Sequence, residues 1–255
     1  MHTLDTKLAN IRAGRYKPAD FIIADAKDGD IGFGRSAPVK DANGNFTPRE
    51  THLQAIRDMT KSGLVDVMLM SASTAERLVG EGLFVGTPVT PAIRLNDTTD
   101  IWSARGGRYK EEPSRHHRTA RVDQARKVVD LGLYSVTFSN QVDIDAINAE
   151  AYSAFRADAN ANGMRHFLEI FNPAFDIKLT PGADIGSFIN DNIVRTLAGV
   201  MDIDFPKFLK LQYNGARAME ELASYDPGHL IVGILGGAAG TSPDTFQLLA
   251  QAGRH

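Results

Sequence analysis

The sequence predicts an α/β fold, a (β/α)8 barrel of the TIM type, on three observations. Short apolar runs alternate with amphipathic stretches along the chain, the pattern of a parallel sheet covered by helices. Seven strand–helix units follow one another with no switch in composition. The 255 residues, 43% hydrophobic and 23% charged, suffice for one large core, so one domain over residues 1–255 is expected. Length and unit count favour a closed barrel over an open doubly wound sheet. The last helical segment runs almost to His255 and leaves no room for an eighth strand and helix, so a barrel either truncated or incompletely represented by this sequence is expected.

The elements follow in order. Phe21–Asp25, an apolar run ending in a carboxylate, is the first strand, and Gly34–Pro48, rich in Pro, Gly and Asn, is a long surface loop. Arg49–Lys61 reads as a helix, Val65–Ser71 as the second strand and Thr74–Gly80 as the next helix. Val89–Leu95 is the third strand, followed by a second long loop at Gly106–Ser114 and a helix over Arg118–Leu131. The remaining strands are Leu133–Ser139, His166–Phe171, Phe208–Tyr213 and Leu230–Leu235. Between and after them, Asp145–Asn162, Asp184–Met201, Ala216–Ser224 and Ser242–Ala252 carry helical apolar spacing.

Composition bounds the function. A formal net charge of -3 gives no global field to recruit nucleic acid or an anionic membrane. With Cys 0 there is no disulfide framework, thiol nucleophile or thiolate metal site. The N-terminal residues lack the apolar core of a signal peptide and no stretch has the length of a membrane span, so a cytoplasmic protein is expected.

In a barrel, catalytic groups come from the C-terminal ends of strands and the loops that follow. Lys210 sits inside Phe208-Leu-Lys-Leu-Gln-Tyr213, otherwise a strand buried on both faces. A lysine there is either desolvated into a neutral nucleophile able to form a Schiff base, or a strand-end residue reaching out to water. Asp25 and Lys27 share a face at the end of the first strand, with Asp28 and Asp30 in the turn beyond; Lys27 competes with Lys210 as nucleophile. Arg94, Asn96 and Asp97 end the third strand, Glu169 and Asn172 the fifth, and Lys210, Gln212 and Asn214 the sixth. Asp97 has an equal reading as a turn or cap residue. Asp and Glu inside apolar strands are rarer, so Asp25 and Glu169 are the candidate acid–base pair and Arg94, Asn96 and Gln212 candidate substrate contacts.

The seventh strand runs into Gly236-Gly-Ala-Ala-Gly240 and then Thr241-Ser-Pro-Asp244. Small residues admit close approach of an oxyanion, and amides at a helix start supply donors, which makes Gly236, Gly237, Ala238 and Thr241 candidate anion contacts. Closing a tight connection is the alternative reading. The stretch Trp102–Arg118 is glycine-rich and cationic; a solvated loop leading into a basic helix is preferred over a lid carrying Arg105, Arg108 or Arg115 to an anionic substrate. His116 and His117 are adjacent and point differently, and no cluster has metal-ligand spacing, so neither a metal nor another cofactor is expected.

Lys210 in Phe-Leu-Lys-Leu-Gln-Tyr on the sixth strand, the Gly236-Gly237 turn after the seventh and Asp25 ending the first together resemble the Schiff-base class I aldolases. These are the relatives of deoxyribose-phosphate, tagatose-bisphosphate and archaeal-type fructose-bisphosphate aldolases. The resemblance covers most of the chain at the level of strand order. It implies Lys210 as the imine-forming residue, Asp25 as its proton-transfer partner and a phosphorylated sugar or small keto compound as substrate. The family's Arg-containing turn after strand eight has no counterpart before His255. Tyr134 and Tyr213 are both candidates for the aldolase tyrosine, although alternation places Tyr213 opposite to Lys210.

Two other functions fit. Asp25-Ala-Lys-Asp-Gly-Asp30 matches the Asp-x-Lys-x-x-Asp pattern of the orotidine-phosphate decarboxylase group, and a barrel that binds sugar phosphates without turnover is the non-enzyme reading. An incomplete barrel edge favours burial against a second copy, so a homo-oligomer is expected.

Overall fold

The computed structural model describes residues 2–37 and 40–236. Seven strands, β1 (Ala24–Lys27), β2 (Val67–Met70), β3 (Thr90–Arg94), β4 (Leu131–Thr137), β5 (Arg165–Phe171), β6 (Leu209–Leu211) and β7 (Val232–Ile234), form one parallel sheet in chain order. All seven expected strands are present, with bounds that differ from expectation by at most three residues at either end. Among the described residues β7 and β1 are not paired, so the sheet is an open, curled part of a barrel.

Alternation along the strands builds two cores. One face, with Met68, Met70, Ile93, Leu95, Tyr134, Val136, Leu168, Ile170, Leu209 and Leu211, packs against the helices. The other, with Val67, Leu69, Ala92, Leu131, Leu133 and Phe167, fills the barrel interior. Ile22 before β1 and Ile231 before β7 pack on that same inner cluster, so both edges of the sheet curl around it. The inward parity of Ala92, Leu133 and Phe167 is shared two residues on by Arg94, Ser135 and Glu169. The interior is therefore apolar at the base and polar toward the C-terminal end.

The helices are α1 (Thr3–Arg12), α2 (Gly29–Phe33), α3 (Arg49–Ser62), α4 (Ala72–Gly80), α5 (Val122–Ala125), α6 (Val142–Ala161), α7 (Ile185–Leu197) and α8 (Ala216–Tyr225). α7 starts where its cap dictates: the Asp184 carboxylate accepts from the Ser187 amide at 3.0 Å. α3 stops at Gly63, whose φ of 66° is the left-handed conformation glycine adopts freely.

α1 is not evident in the sequence reading. Leu4 and Leu8, one turn apart, are 0% and 4% exposed and plug the base of the inner cluster. Lys7 pairs with Asp66 at 2.8 Å, Asp5 with Arg165 at 2.5 Å, and Arg12 donates to the Lys207 carbonyl at 3.0 Å. The base is thereby closed by one helix.

The helix expected over Arg118–Leu131 needs correction, because only Val122–Ala125 is α-helical. Its first residue is taken by an antiparallel ribbon in which Asn96–Thr98 pairs with His116–Arg118, and its last residue already belongs to β4. Gly132 explains the tight entry to β4: a Cβ there would lie 2.2 Å from Leu95 Cδ1. The segment expected as the Ser242–Ala252 helix lies outside the described residues. No helix among the described residues is long and apolar enough to cross a membrane.

Candidate active site

Strand register sets one row of side chains across the sheet. Ser135 stands beside Glu169, Glu169 beside Lys210, and Lys210 beside Gly233 on successive parallel strands. Neighbouring strands are about 4.8 Å apart, so side chains level with one another on one face must touch. Leu209 and Leu211 are buried toward the helices, which turns Lys210 inward; its side chain is 16% exposed.

Glu169 is completely buried and its two oxygens have different partners. Lys210 Nζ lies against Oε1 as an ion pair. Arg94 Nη2 at 2.8 Å and the Ser135 hydroxyl at 2.7 Å both donate to Oε2. Arg94 reaches further: Nε donates to Asp28, Nη1 to Ser135 Oγ at 2.7 Å and, more weakly, to Asp97 at 3.4 Å. The Trp102 indole holds the other Asp97 oxygen at 2.6 Å. One guanidinium thus ties the loops after β1 and β3 to β4 and β5.

The electrostatics follow from burial and charge. Burial alone would raise the Glu169 carboxyl, but Lys210 and Arg94 outweigh it and hold it down to about 2. Burial would lower the Arg94 guanidinium; Asp28, Glu169 and Asp97 reverse that and keep it charged. Asp97 is pushed up by burial, which Arg94 only partly offsets. Lys210 therefore sits in an ion pair, not in the purely apolar strand environment that its sequence neighbours suggest.

The other expected residues fall in different places. Asp25 lies outside this network and pairs with Lys27 at 3.1 Å, leaving its Oδ2 buried without a hydrogen-bond partner. Arg94 and Asn96, expected to face substrate, are committed inside the protein. Asn96 exchanges two hydrogen bonds with the Ser135 backbone, at 2.8 and 2.6 Å, and Arg94 is spread over four side chains. Gln212 accepts from the Asn172 amide, and Asn172 and Asn214 exchange side-chain bonds at 2.7 and 3.1 Å. Gly236 is exposed after β7, whereas Gly237, Ala238 and Thr241 lie outside the described residues.

Tyr134 and Tyr213 both pack in the layer between sheet and helices, away from the inward face that carries Lys210. Tyr134 is wedged against Tyr152 and Phe155, and burial pushes its phenol up to about 12. His116 accepts from the Thr137 amide at 2.9 Å and is held down to about 3, chiefly by burial, so it is a neutral structural imidazole. Among the described residues no group of three or more His, Asp or Glu is placed to hold a metal.

Sequence reasoning did not single out Ser135 or the grip of Asp28. Ser135 had a usable signal, a hydroxyl alternating with Leu133 on the inward face of an apolar strand. Asp28 had none, because its role depends on a turn bringing it across to β3.

No protein-family model matches the sequence, and no curated protein is detectably similar to it. Solved structures share its fold. A Schiff-base-forming fructose-1,6-bisphosphate aldolase superposes with a TM-score of 0.63 at 17% identity, over 98% of this chain and 88% of that one. Cgl0159 from Corynebacterium glutamicum superposes with a TM-score of 0.57 at 18% identity, over 97% of this chain and 81% of that one.

Proposed function

We propose that this chain is a class I aldolase-like lyase, forming a Schiff base at Lys210 with a small carbonyl compound and making or breaking the carbon–carbon bond beside it. The observation that carries this reading is the inward Lys210–Glu169 ion pair on neighbouring strands of a fold shared with a Schiff-base aldolase. Fold alone does not fix chemistry, so the residues must.

The Glu169 carboxylate lies directly against Nζ. An ammonium and an iminium both carry one positive charge there, so the Glu169 carboxylate serves as counterion before and after imine formation without reorganisation. To attack, Lys210 must first lose a proton. Glu169 is a poor base while Lys210 is charged; as that charge leaves, the neighbour that holds its carboxyl down is lost, while burial, which raises it, remains. Glu169 is then the neighbouring group able to accept that proton. The neutral amine adds to the carbonyl carbon and water leaves; a base then takes the proton of the β-hydroxyl as the bond between the α and β carbons breaks, and that electron pair passes into the iminium, giving an enamine and a carbonyl fragment. Protonation of the enamine and hydrolysis restore the lysine. Asp25 is the second acid–base group in this reading, with Lys27 the rival amine beside it.

The whole chain acts as one catalytic domain in this proposal, on a phosphorylated substrate and as a homo-oligomer. Borohydride reduction in the presence of a panel of sugar phosphates and small keto acids, followed by peptide mapping, tests the chemistry. An adduct on Lys210 supports it. An adduct on Lys27 moves the nucleophile, and turnover without any adduct favours the decarboxylase reading.

A further inference from the structure

We propose that Arg35, Lys40 and Arg105 form an anion subsite at the barrel rim, gathered around the ring of Phe46, that receives a phosphate group. Arg35 and Arg105 place their guanidinium carbons 5.3 and 5.0 Å from the ring centroid, and Lys40 Nζ lies 5.0 Å from it. Arg35 also donates to the Phe46 carbonyl at 2.8 Å, which fixes the ring and the cation together. Cations gathered on one ring repel each other, and an exposed cation–π contact returns only about 0.5–1 kcal/mol. Among the described residues none of the three has a carboxylate partner. A shared anion is the partner that such a cluster lacks.

The charge count at the centre supports this placement. Around Lys210, two cations, Arg94 and Lys210, face three carboxylates, Asp28, Asp97 and Glu169, while Lys27 is matched by Asp25. The centre has no spare positive charge for a dianion, whereas the rim has three.

The rim is joined to the centre by the same two loops. Arg35 follows Asp28 on the loop after β1, Arg105 follows Asp97 and Trp102 on the loop after β3, and the Ser103 amide donates to the Gly32 carbonyl at 2.8 Å between them. A substrate with its carbonyl at Lys210 would present its far end to these loops; this extension to substrate rests on the aldolase reading, and the subsite itself does not.

Inorganic phosphate is the probe, titrated by calorimetry and by the fluorescence of Trp102, the single tryptophan of the chain. Binding is expected in the wild type and equally in Lys210→Ala, and should weaken as salt is raised, because exposed charges are screened beyond about 8 Å at physiological ionic strength. The triple variant Arg35→Gln, Lys40→Gln, Arg105→Gln should bind phosphate about tenfold more weakly or worse. In a second arm, KM of that variant for a phosphorylated carbonyl compound should rise relative to KM for its unphosphorylated parent. If phosphate binds but this ratio does not move, the subsite serves free phosphate and not substrate. Unchanged phosphate affinity in the folded triple variant, or no phosphate binding by the wild type, overturns the proposal. Phosphate binding in a protein that forms no imine leaves the subsite standing and removes the aldolase reading.

Discussion

Replacing Arg94 with methionine removes the one charge that four side chains share, and the structure sets the size of the loss. Asp28, Asp97 and Glu169 are 7%, 0% and 0% exposed, so water cannot take over from the guanidinium. Truncating one partner of a buried, hydrogen-bonded charge network costs about 3–5 kcal/mol, against a total stability of about 5–15 kcal/mol for an ordinary domain. Against the opposing effect of burial, Lys210 and Arg94 hold the Glu169 carboxyl well below its ordinary 4.5, so part of this stability is linked to pH. The folded carboxyl is depressed, so this contribution is fully present above about pH 4.5 and is lost as pH falls toward 2. Urea unfolding followed by far-ultraviolet circular dichroism should show Arg94→Met about 3–5 kcal/mol less stable than wild type at pH 7. The gap should narrow below about pH 4.5, where the unfolded wild-type chain takes up a proton that its folded Glu169 does not. Should the methionine variant fail to fold, Arg94→Lys keeps the charge without the planar fork and is expected to fall between the two. A gap under about 1 kcal/mol at pH 7, or one that stays constant down to pH 3, would refute the account of Arg94 as the buried tie.

Other outcomes follow from the same geometry. Lys210→Ala should fold and lose imine trapping altogether; full aldol activity in that variant would remove Lys210 from the mechanism. Glu169→Gln keeps the shape of the side chain but withdraws the counterion, so single-turnover imine formation should slow by about 10²-fold or more, and an unchanged rate would show that Glu169 is only structural. Gly132→Ala drives a methyl into Leu95 and should cost about 1–3 kcal/mol in urea unfolding, whereas a neutral result would mean that β3 and β4 can separate freely. Leu8→Ala, at 4% exposure in the base plug, should cost about 2–5 kcal/mol, and a loss under about 1 kcal/mol would show that the plug is not part of the core.

The strands were legible because apolar runs bounded by turn residues are a local signal, and all seven lie where such runs occur. The inward direction of Glu169 and Lys210 was also legible, since each is a charge between residues whose burial alternation requires to face helices. What escaped were features set by distant partners. α1 carries only Leu4 and Leu8 as buried apolar residues, too few to mark a helix until the barrel base supplies their contacts. The ribbon at Asn96–Thr98 and His116–Arg118 is polar, so it has no hydrophobic signature, and its pairing replaces a helix that the following sequence favours. Arg94 looked free because its three carboxylates come from positions 28, 97 and 169. Lys210 stood out as a charge within an apolar strand, but its ion pair needed strand register as well as sequence.

The base plug has a consequence for the order in which the chain assembles. α1 is synthesised before the strands, yet Asp5 reaches Arg165 across 160 residues and Arg12 reaches the Lys207 carbonyl across 195. The Lys7–Asp66 pair can form once the start of β2 is made, but these two anchors do not exist on the ribosome until β5 and the approach to β6 have emerged. Contacts of such separation form late, after the entropy of closing the intervening chain has been met by the strands themselves. α1 thus behaves as a clasp: held early at β2, it closes fully only over strands already in register.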